Sequence, residues 1–256
     1  MAKLRIEKIL TKGKSLLLAM DQGLEHGPKD FTLQTINPDY VLDIARKGGY
    51  NGMILQKGIA EKYFENYRLD VPLILKVNGK ASIAQVDPYA SQLCSVKRAV
   101  QLGASAVGYT IYLGSPQEPH IFREFSKIQE EAHQFGLPVI AWMYPRGPFV
   151  KNDIDTDVLA YAARVGLELG ADFVKMKYNN DPKGYEWVVK CAGKTKLLVA
   201  GGEKKTEAQL YKDVYEVMKA GATGMAIGRN VWQSKNPLEI TAKLKKIIFE
   251  GKKIIS

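Results

Sequence analysis

Short, unbroken apolar runs alternate along this chain with longer stretches of helical character. The runs are Ser15–Asp21, Gly52–Gln56, Pro72–Asn78, Ser105–Thr110, Pro138–Tyr144, Asp172–Tyr178, Lys196–Gly201 and Thr223–Gly228. They are continuous rather than alternating, as expected of parallel strands covered on both faces. The distance from one run to the next leaves room for one strand and one crossover helix. The intervening stretches carry helix signals. Asp155, Thr156 and Asp157 can start a helix whose apolar positions are Val158, Ala162, Val165 and Leu169. Thr206, with Gln209 three residues on, reads as a capping box ahead of Leu210, Val214, Val217 and Met218. Glycines at 48–49, 103, 136, 170 and 221 stand where each helix should stop before the next strand. Eight such units without a linker predict an α/β protein, a (β/α)8 TIM barrel forming one domain over residues 1–256. An open doubly wound sheet is the rival arrangement. A GxGxxG after the first strand would favour it, and none is present.

Composition narrows the classes of function. Hydrophobic residues make up 46% of the 256 positions, enough for a substantial core, and charged residues 25%. No segment approaches the roughly 20 apolar residues of a membrane helix. The run Leu16–Met20 stops at Asp21, too short for a secretory core. The expectation is a cytoplasmic protein with no membrane partner. Cys94 and Cys191 are isolated, which disfavours a disulfide framework and structural zinc. The net charge of +10 favours anionic partners. The basic residues are dispersed, with no run of five or six and no basic–aromatic motif, so nucleic acid is not the expected partner. A small phosphorylated substrate, or a well-solvated surface, explains the charge as well.

In a barrel of this type the chemistry lies at the carboxyl ends of the strands. That rule selects Asp21 and Gln22, Gln56 and Lys57, Lys76 and Asn78, Tyr109, then Trp142, Tyr144 and Arg146, then Lys175, Lys177 and Tyr178. Gly201-Gly202 and Gly228-Arg229-Asn230 follow the last two runs, where backbone N–H groups, a helix start and the Arg229 fork suit a phosphate. Tight turns alone would also use these glycines. Lys175 and Lys177 are two apart and so share a face of their strand. Only about one free lysine in a few thousand is neutral near pH 7, but burial and a second ammonium lower the pKa. A neutral amine there can attack a carbonyl to form a Schiff base. Pairing with a carboxylate such as Asp21, or binding phosphate, is an equally open reading of the same residues. Trp142 and Tyr144 also share a face. Tyr144 can relay a proton, although packing is the common use of barrel aromatics. Asp21 follows a wholly apolar strand, where a carboxylate serves chemistry or caps the next turn. His26, His120 and His133 are far apart in sequence, and no HExxH is present, which disfavours a catalytic metal. His133 reads as a solvated helix position, and His26 as a residue able to line the site.

Seven segments, in order, carry a family likeness: LLLAMDQGLEHGP (16–28), LQKGIAEKY (55–63), PLILKVNGK (72–80), GASAVGYTIY (103–112), AWMYPRG (141–147), ELGADFVKMKY (168–178) and GMAIGRNVWQ (224–233). Together they resemble the archaeal-type class I fructose-1,6-bisphosphate aldolases, in the DhnA group of barrel aldolases, essentially from end to end. The resemblance implies a Schiff-base mechanism with no metal and no cofactor. It implies Lys175 as the nucleophile, Tyr144 as the acid/base and Asp21 as its assistant. Trp142 and Lys177 would shape the site, and Gly201, Gly202, Gly228 and Arg229 would bind phosphate. It further implies a ring-based homo-oligomer, an octamer or decamer, and a place in glycolysis and gluconeogenesis. Two departures stand out. Asp21-Gln22-Gly23 replaces the frequent DHG, and Gly201-Gly202-Glu203-Lys204-Lys205-Thr206 replaces GGPKT. Glu203 should repel a phosphate there, with Lys204 and Lys205 able to offset it. The alternatives are the sister 2-amino-3,7-dideoxy-D-threo-hept-6-ulosonate synthase, a lysine transaldolase, and a non-catalytic phosphosugar-binding barrel.

Overall fold

Eight parallel strands close on themselves in chain order in the computed structural model, which describes residues 3–83 and 87–254. The outermost residues of the expected 1–256 span (1–2 and 255–256) lie outside the described residues. The strands are β1 (Ser15–Ala19), β2 (Gly52–Gln56), β3 (Leu73–Lys76), β4 (Ala104–Ile111), β5 (Val139–Met143), β6 (Phe173–Met176), β7 (Lys196–Ala200) and β8 (Gly224–Ile227). The expected (β/α)8 barrel is thus what the chain forms. The main helices are α1 (Pro38–Gly48), α2 (Lys57–Tyr63), α3 (Val96–Gln101), α4 (Glu118–Gln134), α5 (Thr156–Glu168), α6 (Pro182–Cys191), α7 (Glu207–Lys219) and α8 (Pro237–Glu250). One-turn helices at Gly23–His26 and Arg229–Trp232 follow β1 and β8.

The unbroken apolar runs are explained by two cores. Every strand sends at least one residue into the barrel: Leu17, Ile54, Ile74, Ala106, Ile140, Phe173, Leu198 and Ala226, with Ala19 and Trp142 in addition. The alternate residues, among them Leu16, Met53, Leu75, Val107, Val139, Val174, Val199 and Met225, pack outward under the helices. A side chain on either face is therefore buried. β8 closes on β1 at Ser15↔Gly224, where a Cβ on Gly224 would lie 1.8 Å from the Ser15 carbonyl oxygen. Only glycine permits that seam.

The bottom of the barrel is plugged. A 3-10 turn at Ile6–Ile9 puts Ile9, fully buried, into the inner core, with Ile6 and Leu10 packed beside it. The Ser15 hydroxyl donates to the Ile9 carbonyl (2.8 Å), and Arg5 reaches the carbonyl of Phe135 (3.0 Å), fastening the plug.

Helix boundaries follow the polar signals. Asp155 caps α5, accepting from the N–H groups of Asp157 and Val158. Its buried stripe, however, is Leu159, Ala160, Ala162, Ala163 and Gly166, a slightly rotated face that leaves Val158 and Val165 half-buried. Thr206 caps α7 by accepting from the Gln209 N–H (3.3 Å). The capping box closes on that side only, because the Gln209 amide turns to Asp213 instead. At the end of α1, Gly49 adopts the left-handed conformation (φ 58°) that stops the helix.

Candidate active site

The inward face of each strand continues past its apolar layer, and with a period of two the next residue meets the barrel mouth. Leu17 and Ala19 are followed by Asp21, Ile74 by Lys76, Ile140 by Trp142 and Tyr144, and Phe173 by Lys175. These side chains line one cavity of about 350 Å³. Its wall also contains Gln22, Glu25, His26, Arg146, Lys177, the loop Ala200–Glu203, Gly228 and Arg229. Five basic side chains of the Lys and Arg type face three carboxylates there, a balance that favours an anionic ligand.

Lys175 is 6% exposed, and its amine lies 4.8 Å from the centroid of the Trp142 ring. It forms no ion pair among the described residues. Burial, reinforced by the nearby Lys76 charge, lowers its pKa to about 8, against the opposing pull of Asp21 and Glu25. The open question of whether Lys175 pairs with Asp21 is answered by a different lysine. Lys76, 3% exposed, lies 3.3 Å from Asp21 Oδ2 and 3.2 Å from Glu25 Oε1. Burial alone would push Asp21 up, but Lys76 and then Lys175 hold its carboxyl below the usual value. Burial would likewise discharge Lys76, yet Asp21 and Glu25 keep it above its ordinary range. One buried amine is therefore held charged, and the other loses its proton more readily than a free lysine.

Trp142 is fully buried, and its indole fits because Gly108 on β4 has no side chain. A Cβ there would meet the ring at 2.0 Å. Tyr144 sits just past β5, with its N–H donating to the Ile111 carbonyl (3.0 Å). Burial, with Asp21 and Glu25 adding to it, raises the Tyr144 hydroxyl well above the usual tyrosine value. Its phenol is a proton donor at neutral pH. The Pro-Arg-Gly turn that follows is pinned by Arg146 N–H to the Leu113 carbonyl (2.8 Å) and by the close approach of Gly147 to Gly114. Lys177 lies beyond the end of β6, on the cavity wall, and pairs with Asp153 at 2.5 Å. It shares the site with Lys175 but not its burial.

The glycine loops face the same cavity. The Asn230 side chain donates to the carbonyls of Gly201 (2.9 Å) and Glu203 (2.8 Å) and accepts from the Lys205 N–H (2.7 Å). Gly228 approaches β1 so closely that a Cβ would lie 2.7 Å from the Ala19 carbonyl oxygen. Arg229 donates to the Gly202 carbonyl (3.3 Å) and pairs with Asp30 (3.4 Å), which also holds His26 (3.1 Å). Glu203 does line the cavity, but the expected compensation is not there. Lys204 is turned to the Gln233 carbonyl (2.8 Å) and Lys205 to Asp213 (2.5 Å), and neither lines the cavity. The loop places both amines outside, and the basic side chains that share the cavity wall with Glu203 are Lys76, Arg146, Lys175, Lys177 and Arg229.

Sequence reasoning passed over Glu25 and the part played by Lys76. Lys76 was visible as a strand-end lysine; Glu25 sits on a one-turn helix with no periodic signal and is held at the site by its ion pair with Lys76 and by the Tyr112 hydroxyl, which donates to it (3.5 Å). His133 also differs from expectation. It is largely buried, 2.9 Å from Asp172, a carboxylate that also accepts from the Val139 N–H. His26, as expected, lines the cavity.

Comparison with known proteins bears on this geometry. The sequence profile of the DeoC/LacD family aldolases matches residues 15–234. A fructose-bisphosphate aldolase class 1 of Thermoproteus tenax is 48% identical over 246 residues, covering 95% of this chain and 92% of that protein. A solved Schiff-base-forming fructose-1,6-bisphosphate aldolase superposes with a TM-score of 0.91 at 47% identity, covering 95% of this chain and 98% of the other. An archaeal fructose-1,6-bisphosphate aldolase, solved with its catalytic lysine covalently bound to the carbinolamine intermediate of the substrate, gives a TM-score of 0.92 at 46% identity, covering 96% and 98%.

Proposed function

The chain belongs to the DeoC/LacD family of aldolases, and from that premise and the cavity chemistry we propose a specific reaction and a role for each residue. The protein is a class I fructose-bisphosphate aldolase, cleaving fructose 1,6-bisphosphate reversibly to dihydroxyacetone phosphate and glyceraldehyde 3-phosphate. The observation that carries the assignment of Lys175 is a buried amine without a carboxylate partner and with a pKa of about 8.

In this reading the neutral Lys175 amine adds to the C2 ketone and forms a carbinolamine. Tyr144, protonated because of its raised pKa, gives its proton to the departing hydroxyl, and water leaves to give the iminium ion. The resulting phenolate then takes the proton of the C4 hydroxyl as the C3–C4 bond breaks, its electrons flowing into the iminium to leave an enamine. Asp21, held ionised by Lys76, assists these transfers and stabilises the cationic iminium. Protonation at C3 and hydrolysis free dihydroxyacetone phosphate and restore the amine. One phosphate is received by the Gly201-Gly202 and Gly228 backbones with Arg229, and Trp142 and Lys177 shape the remaining wall. No step calls on a metal or cofactor.

This barrel domain, residues 1–256, would serve glycolysis and gluconeogenesis in the cytoplasm as a ring-based homo-oligomer. The family resemblance supports that part of the reading, and light scattering tests the assembly. Hydride reduction in the presence of dihydroxyacetone phosphate should add one three-carbon adduct on Lys175, located by peptide mass spectrometry. Lys175→Ala should lose both adduct and turnover. A variant that keeps either refutes the assignment.

A further inference from the structure

Two carboxylates and two lysines meet at this barrel mouth, yet they do not divide into two ion pairs. Lys76 takes both acids, at 3.3 Å to Asp21 and 3.2 Å to Glu25. Lys175 takes neither, although Asp21 and Glu25 are near enough to bias its charge. We propose that Lys76 is a positioning residue for imine formation: it occupies Asp21, so that this carboxylate cannot pair with Lys175, and Glu25 regulates how tightly it does so. The inference rests on Lys175 being the nucleophile and adds a cause for its reactivity.

The surroundings leave Lys76 as the group able to act in this way. His26 and Arg229 are both engaged by Asp30. Lys177 is paired with Asp153. Arg146 stacks over Tyr112 at 5.2 Å, and the phenols of Tyr112 and Tyr144 are both kept protonated. Glu203 is exposed in the loop after β7. The charges facing Lys175 are thus the buried Asp21 and Lys76 and the partly buried Glu25. A buried carboxylate stripped of its partner seeks another cation, because an unpaired charge in a dry site is costly. Without Lys76, Asp21 would turn to Lys175 and hold it as ammonium. Without the Glu25 charge, Lys76 has one acid left and settles on Asp21, while Lys175 loses a carboxylate that favours its protonation. The two substitutions therefore push the nucleophile in opposite directions, which a merely structural role would not do.

The step being read is addition of the neutral Nζ to the ketone, formation of the N–C2 bond, loss of one water and uptake of one proton as the iminium. Adduct formation with dihydroxyacetone phosphate and cyanoborohydride, followed by intact mass across a pH series, gives a midpoint for each variant. Lys76→Met should raise the midpoint by about one pH unit, with about tenfold less initial adduct at pH values below it. Glu25→Gln should lower the midpoint, and Lys76→Arg, which keeps a cation between the two acids, should stay near the parent value. An unchanged or lowered midpoint in Lys76→Met overturns the proposal. So does a raised midpoint in Lys76→Arg, or an unchanged or raised one in Glu25→Gln, and these two readings stand even where the methionine variant does not fold. Absence of any adduct on Lys175 in the parent protein would instead remove the nucleophile assignment itself.

Discussion

Lys175 changes protonation state around pH 8, so in the proposed mechanism the reactive fraction of the protein changes steeply across the physiological range. At pH 7 about a tenth of the amines are neutral, and the rate of imine formation should rise about tenfold per unit until it levels above pH 8. Stability shifts in the same direction. The folded pKa lies below the free value of 10.5, so the unfolded chain binds the extra proton between about pH 8 and 10.5, and unfolding becomes less favourable as pH rises through that window. Below about pH 8 the cost of the buried amine is present in full. Tyr144→Phe should separate two steps that wild-type turnover merges. Cleavage of fructose 1,6-bisphosphate should fall by roughly 10²–10⁴-fold, whereas adduct formation on Lys175, measured by mass, should persist at a reduced rate. Loss of the adduct with intact cleavage would contradict the role given to the phenol. At this scale the sequence placed Asp21, Tyr144 and Lys175 at the barrel mouth because each continues the inward period of an apolar strand. Glu25 was hidden, because its place depends on how the chain folds back after β1 to reach a lysine 51 residues away.

The elements divide into those whose signals are local and those whose signals are not. Strand positions and helix starts were legible, since burial on both faces and capping by Asp155 or Thr206 act within a few residues. The face a helix buries was less so. α5 rotates toward its small residues, and Gly166 lets it approach β6, where a Cβ would lie 2.3 Å from Val174. The direction of Lys204 and Lys205 was invisible for a similar reason, because Asp213 on α7 and the Gln233 carbonyl after β8 decide it. The loop they belong to is braced across the barrel seam by Asn230. Asn230→Ala removes three hydrogen bonds and leaves two loop carbonyls without that partner. A loss of about 1–3 kcal/mol in binding is expected, seen as a KM for fructose 1,6-bisphosphate raised by roughly tenfold or more with kcat altered less. An unchanged KM would show that the loop holds its shape without the brace.

For the molecule as a whole, the closed β sheet leaves two ends, and the chain treats them differently. One end is stoppered by the Ile6–Ile9 turn, the other carries every ionisable group of the site. Ile9→Ala would leave a void beneath Leu17 and its layer, and about 2–5 kcal/mol of stability should be lost. Thermal unfolding measures that loss, while the pH midpoint of adduct formation should stay in place. A shift in the midpoint would mean that the stopper influences the chemistry, which the separation of the two ends does not predict.

The stoppered end also dictates traffic. Among the described residues that end is filled by Ile9 and the apolar layer above it, so the six-carbon sugar comes in, and both three-carbon fragments go out, through the same doorway. In the proposed mechanism the ketone-derived fragment is still bonded to Lys175 after carbon–carbon scission, whereas the aldehyde is free to diffuse. The aldehyde must therefore depart first, and in the synthetic direction it must arrive last. Glyceraldehyde 3-phosphate in excess should accordingly hinder the dihydroxyacetone phosphate that has yet to dock, giving ordered product-inhibition patterns from a cavity with a single mouth.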